Sequence, residues 1–192
     1  MSTILSIDKH HYKHIRKYLL QNHLEQVCFL FYNAIWDDRA LNLSVVDYYL
    51  AIPQDYTYQS AFHIELNDAC QAKIIKKAWD QQLSLGEIHS HPTSYKAYFS
   101  SSDISGFKEF VPHVWWRLKK GPYIAIILSQ RDVDAIAWVK DPEAHEQVKE
   151  IRMGSDIVYP SNNTIKLLQE KKWIKKSFPD KSAFSGLRDR KK

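Results

Sequence analysis

The stretch Tyr123–Leu128 is almost wholly apolar and reads as a strand buried in a core. After it, Val133–Val139 alternates Val, Ala, Ala and Val with Asp, Ile and Trp, and reads as its hairpin partner. Upstream, Val27–Trp36 is a dense apolar and aromatic run, rich in strand formers and short for a globular helix. Asp37-Asp38-Arg39 reads as its turn. Leu43–Ile52 is a second strand ended by Pro53-Gln54-Asp55, and Ala61–Leu66 a short third. Helical spacing spans about Asp8–Asn22, with Ile15, Leu19 and Leu20 on one side. Asn67 or Asp68 caps a helix running to about Leu83. Leu85–Ser90 is a strand, and Ser101–Leu118 a helix closed by Gly121-Pro122. A strand near Val148–Met153 and a helix near Thr164–Lys175 complete the pattern. This order predicts an α/β fold: a mixed, mostly antiparallel sheet sandwiched by helices. There is no regular βαβ alternation, no Gly-rich phosphate loop and no internal repeat.

A chain of 192 residues favours one domain with a core of ample size. Its 44% hydrophobic and 26% charged residues suit a soluble globular protein, and no apolar run approaches the roughly 20 residues that span a bilayer. The start, Met1 to Asp8, has neither a basic beginning nor a long apolar stretch, so no signal peptide is expected. Cys28 and Cys70 form no close pair; a reducing cytoplasm is the expected compartment. The net charge of +5 is uneven. Pro160–Lys192 holds ten Lys/Arg against three Asp/Glu, which leaves the first 159 residues slightly acidic. Two units are therefore expected: a domain over 1–159 and a basic tail over 160–192. Such a tail can bind nucleic acid or an acidic surface. Its aromatic interleaving is thin (Trp173, Phe178, Phe184), so a solvated, partly disordered end is expected and nucleic acid is not the expected partner.

The chemistry concentrates in His89-Ser90-His91-Pro92 and Ser100-Ser101-Ser102-Asp103. Two histidines two apart on a strand point to the same side, and two imidazoles on one face can grip one ion at about 2.0–2.1 Å. Pro92 ends the strand. Asp103, on the first turn of the next helix, can fold back beside them. Two His and one carboxylate leave a position open for water, the pattern of a catalytic rather than a structural zinc site. Ser100, three before Asp103, can supply a hydroxyl to an oxyanion. The same Ser-x-x-Asp spacing is that of a helix N-terminus, and both roles can hold at once.

Gly86-Glu87-Ile88-His89-Ser90-His91-Pro92 followed by Ser100-Ser101-Ser102-Asp103 resembles the signature of the JAMM (MPN-plus, or JAB) zinc metallopeptidases, in particular the bacterial stand-alone type. The resemblance covers about residues 8–140 and leaves out the tail. It implies a cytidine-deaminase-like JAB/MPN domain. It also implies zinc held by His89, His91 and Asp103, Glu25 as general base and Ser100 as oxyanion helper. The implied substrates are isopeptide or peptide bonds of ubiquitin-like modifiers and their conjugates. Activating- and conjugating-like enzymes are the implied partners, within a bacterial ubiquitin-like conjugation or antiphage system. One departure is present: seven residues, Thr93–Phe99, separate Pro92 from Ser100, one more than usual, which leaves Ser101 as the weaker candidate for the helper role.

Glu87 and Glu65 are the rival bases. Glu87 alternates with His89 and so shares its face, with a supporting or substrate-facing role open to it. His10, His11 and His14 lie on the first helix without a third ligand and read as a solvated face. His63, His113 and His145 read as surface or core, and Cys28 as core. Trp115-Trp116 read as packing residues, with part of an apolar partner surface as the other reading. The enzyme reading competes with a non-catalytic MPN-type interaction scaffold whose basic tail docks a partner; the intact ligand set favours the enzyme.

Overall fold

Both faces of Val27–Tyr32 are buried. Cys28, Leu30 and Tyr32 enter one apolar cluster, while Val27, Phe29 and Phe31 enter another. The computed structural model describes residues 2–119 and 121–177, with side chains through Glu170. In chain order the elements are β1 (Ser2–Ile7), α1 (Lys9–Leu19), β2 (Val27–Trp36), β3 (Ala40–Leu50), a 3-10 turn (Pro53–Asp55), β4 (Tyr56–Gln59), β5 (Ile64–Leu66), α2 (Asp68–Asp80), β6 (Ser84–Ser90), α3 (Ser101–Arg117), β7 (Tyr123–Leu128), β8 (Val133–Asp141), β9 (Ala144–Met153), β10 (Asp156–Val158) and α4 (Asn163–Ser177).

The strands pair in the order β1-β3-β2-β6-β7-β8-β9, and β9 returns to β1. Seven strands thus close into a barrel, with β10 appended to β9 as a hairpin and β4–β5 forming a separate two-stranded sheet. The seam is β1, which pairs in parallel with β3 over Ser2–Ser6 and with β9 over Thr3–Ile7. The β6–β7 pair is also parallel; the other barrel pairs are antiparallel.

This corrects the expected fold. The sheet is not an open one sandwiched by helices, as a cytidine-deaminase-like JAB/MPN domain would have it. Closure leaves an inside and an outside rather than two equivalent faces. Inside lie Leu5, Leu30, Leu43, Ile88, Ile126, Ala135 and Val148, joined by Ile15 and Leu19 of α1. Outside, on β2, β6, β7 and β8, a second core forms under α2 and α3 from Phe29, Ile74, Val111, Tyr123 and Trp138. The reason for the difference is Ser2–Ile7. Its Ser and Thr residues blur the apolar signal, and its strand state depends on two neighbours far away in sequence.

Local signals place the helices. The Asp8 carboxylate accepts from the backbone N–H of His10 and His11, and the Asn67 side chain from that of Cys70 at 2.8 Å. The first helix stops at Leu19, three residues before the expected end, where Gln21-Asn22-His23 offers nothing to bury. The first residues of the expected tail are anchored in the fold. Ser161 N–H donates to the Val133 carbonyl, and Asp134, itself buried, accepts from Asn162 and Thr164 N–H. Residues 178–192 of that tail lie outside the described residues. Both cysteines are buried and unbonded to each other. No helix among the described residues is long and apolar enough to cross a membrane.

Gly86 marks the tightest approach in β6. A Cβ there would meet Ile124 Cγ2 at 2.5 Å, the Ile124 carbonyl oxygen at 2.6 Å and Tyr32 Cε1 at 3.0 Å. Tyr32 cannot retreat, because its hydroxyl sits between the Leu85 and Pro122 carbonyls. Gly86→Ala is expected to cost about 2 kcal/mol and to lower Tm by about 4–8 °C, read by thermal denaturation. An unchanged Tm would show that the β6–β7 spacing relaxes freely.

Candidate metal centre

The outward alternation of β6 delivers Glu87 and His89, and the chain continues in the same sense to His91. The end of the strand is pinned on both sides. Ser90 N–H donates to the Gln26 carbonyl and His91 N–H to the Leu128 carbonyl, while the buried Ser90 hydroxyl accepts from Gln26 N–H. The His89 and His91 rings lie 5.3 Å apart.

Asp103 reaches them from the first turn of α3. Ser100 and Asp103 form a capping box: Asp103 N–H donates to Ser100 Oγ at 3.1 Å, and Ser100 N–H donates to Asp103 Oδ2 at 2.6 Å. That fixes the carboxylate 3.5 Å from His91 Nε2 and 3.8 Å from His89 Nε2. One ligand atom from each of His89, His91 and Asp103 falls within 4.8 Å of the others.

Glu25 completes the group from the loop before β2, with Oε1 3.3 Å from His91 Nε2. Its backbone is held by the β4–β5 hairpin: Glu25 N–H donates to the Ser60 carbonyl, and Gln59 Nε2 donates to the Glu25 carbonyl. Next door, Gln26 Nε2 ties the loop back to the Tyr18 carbonyl at the end of α1. Two separate elements therefore aim one buried carboxylate at the histidines.

Glu87 stands beside His89 with its carboxylate engaged on both sides. One of its oxygens lies 3.0 Å from His89 Nδ1 and the other accepts from the Tyr123 hydroxyl at 2.7 Å. Both oxygens are occupied, and His89 donates its Nδ1–H to the carboxylate, which turns Nε2 toward Asp103. Glu65 is exposed and its carboxylate is paired with His63 at 3.0 Å. His14, on α1, contacts the Tyr48 hydroxyl of β3. Ser101 is exposed, whereas Ser100 is partly buried at the cap.

The donor set fits a divalent cation. His89 is 3% exposed, and its Nε2 is a buried nitrogen without a hydrogen-bond partner. At 3.8 Å the Asp103 carboxylate is too distant to serve as one. An orphaned buried nitrogen is costly unless something ligates it. Imidazole and carboxylate are ligands that zinc accepts. The electrostatics agree. Burial penalises the charged imidazole of His89, but Asp103 and Glu87 outweigh that and raise its pKa to about 10. Burial would raise Asp103, yet the facing imidazoles prevail and hold it well below the usual carboxylate range. Burial raises Glu25 above its usual range against the pull of His91 and His89.

Several contributors carry no signature in the sequence. Tyr123 was read only as core, yet it orients Glu87. Phe99 packs edge-on against the His89 ring at 5.4 Å between centroids, backed by Phe107 at 5.3 Å. The loop Thr93–Phe99 is held by three hydrogen bonds, two from the β7–β8 turn and one from the start of α4. Phe99 N–H donates to Thr164 Oγ1, Ala97 N–H to Asp132, and Ser129 Oγ to the Tyr95 carbonyl. Ser100 stands at the end of this stapled loop, as the cap of α3.

No protein-family model matches this chain, and no curated protein matches it. Among solved structures, the chain is similar to the solution structure of protein DSY2949 from Desulfitobacterium hafniense, a Northeast Structural Genomics Consortium target. The TM-score is 0.48 and the identity 18%, over 83% of this chain and 97% of that one. That likeness is too distant to carry a function across.

A metal takes the neutral imidazole, so ligation by His89 must first expel its proton. The Asp103 and Glu87 carboxylates raise the His89 pKa to about 10, which favours the charged imidazole in the metal-free protein. Zinc uptake at about pH 7.5 is expected to release about one proton per ion, read by calorimetry in buffers of different ionisation enthalpy. Uptake without proton release would show that His89 is already neutral in the metal-free protein.

Proposed function

We propose that this protein is a zinc-dependent peptidase that hydrolyses peptide or isopeptide bonds. The observation that carries the reading is the convergence of His91, Asp103 and the partnerless Nε2 of His89 beside the buried carboxylate of Glu25. His89, His91 and Asp103 would hold the ion, and when bound it acidifies water and polarises a carbonyl.

The chain's own residues then divide the work. Glu25, raised by burial, accepts a proton from the attacking water and returns it to the leaving amine. Ser100 Oγ accepts from Asp103 N–H, which leaves its own hydroxyl proton free to donate to the developing oxyanion. Glu87 and Tyr123 keep His89 in the tautomer that presents Nε2. Phe99 keeps water from the buried side of that ring.

The substrate class rests on the resemblance of the His-x-His-Pro and Ser-x-x-Asp run to the JAMM metallopeptidases. On that basis the bonds cut are those joining ubiquitin-like modifiers to their conjugates, in a cytoplasmic bacterial conjugation or antiphage system with activating- or conjugating-like partner enzymes.

The test is a modifier fusion incubated with the purified protein, with and without chelator. Wild type should cleave only when metal-loaded. Glu25→Gln should retain zinc and lose about 10²–10⁴-fold in turnover. Wild-type turnover in Glu25→Gln would remove Glu25 as base. Failure to hold more than about a tenth of an equivalent of zinc after zinc addition would sink the enzyme reading in favour of an interaction scaffold.

A further inference from the structure

Trp115 and Trp116 part ways in the fold. Trp115 is buried at 6% exposure, whereas Trp116 is 72% exposed on the outer side of α3. Across from it, Trp79 on α2 is 49% exposed. The two indoles flank an open groove of about 820 Å³ between the helices, floored by Ala72 and Ile75. The Arg117 guanidinium lies 4.6 Å from the Trp116 ring centre, and Lys119 Nζ lies 4.9 Å from that of Trp79. Neither cation has a carboxylate partner among the described residues, whereas Lys76 in the same groove is paired with Asp80. The single carboxylate lining the groove, Asp68, sits at the other end of α2, eleven residues or about 17 Å from Trp79.

We propose that this groove docks an acidic segment of a partner protein that carries aliphatic anchor side chains. The floor is apolar, the rim at the tryptophan end is cationic, and the shape is long and open rather than enclosed. That combination suits an extended or helical segment lying along two helices. Trp and Arg are among the side chains that most often concentrate binding energy at such surfaces. The cations give the sign of the occupant. The chain's own residues 178–192 hold five Lys/Arg against two Asp/Glu and are of the wrong sign to fill the groove. Trp116 stands thirteen residues beyond Asp103 on α3, about 20 Å along the helix. The tryptophan end of the groove is therefore distant from the candidate metal centre, and the inference rests on residues that take no part in the proposed peptidase activity.

The experiment uses the full-length, metal-loaded protein and three fluorescent probes. The first is a short synthetic peptide with Leu at helical spacing and Glu elsewhere. The second is the same peptide with Lys in place of Glu, and the third is oligothymidylate. Anisotropy should show saturable binding of the Glu peptide and weaker binding of the other two. Replacing Trp79→Ser and Trp116→Ser together should weaken it at least about tenfold. The pair Arg117→Glu and Lys119→Glu should reverse the preference toward the Lys peptide, a gain that misfolding cannot mimic. Zinc content should be unchanged in both double variants. The proposal is overturned if the Glu peptide does not bind, if it binds no better than the Lys peptide, if the charge reversal leaves the preference as it was, or if oligothymidylate is the preferred probe.

Discussion

The alternation of β6 is the constraint on which both halves of this molecule depend. Gly86, Ile88 and Ser90 turn inward to the barrel and to the backbone of β2, while Glu87 and His89 turn outward under α3. One strand therefore serves the interior packing and the candidate metal centre at once. A slip of one residue would bury the imidazole among aliphatic side chains and push Ile88 against Asp103. The register is protected by neighbours of unusual bulk and fixity. Tyr32, with no exposure, is pinned to two carbonyls, and Ile124 presses on Gly86 from the other side.

The centre is built by convergence of short local devices. A capping box aims Asp103, a two-residue strand period aims the histidines, and a hairpin carbonyl and a glutamine side chain hold the backbone of Glu25. Each device is cheap by itself. Together they set three carboxylates around two imidazoles in a region from which water is largely excluded. The carboxylates raise His89, and the facing imidazoles hold Asp103 below its usual range.

Much of this was legible in the sequence, and what was not shares one physical cause. The apolar and alternating runs gave β2, β6, β7 and β8, and the caps at Asn67 and Ser100 gave α2 and α3. The three candidate ligands were readable because strand period and helix capping are local rules. Glu25 became visible only through a family resemblance, since nothing near it in sequence distinguishes it. Strand β1, the closing seam, was missed, and with it the barrel. Ser2–Ile7 is a strand because β3 and β9 flank it, not because of its own pattern. Tyr123 behind Glu87 and Thr164 behind Phe99 are contacts across 36 and 65 residues. No spacing rule reaches that far.

The seam also imposes an order in time. Strand β1 leaves the ribosome first, yet its second edge can be filled only when residues 148–153 have been made. At ordinary elongation rates the wait is roughly 10–30 s. Throughout it a parallel-pairing edge is left open, the kind of edge that invites pairing with another chain. The staple at Thr164 comes later still, so the loop bearing Phe99 settles last. In order of synthesis, the histidines and Asp103 thus precede Thr164, the residue that holds the Phe99 loop beside them.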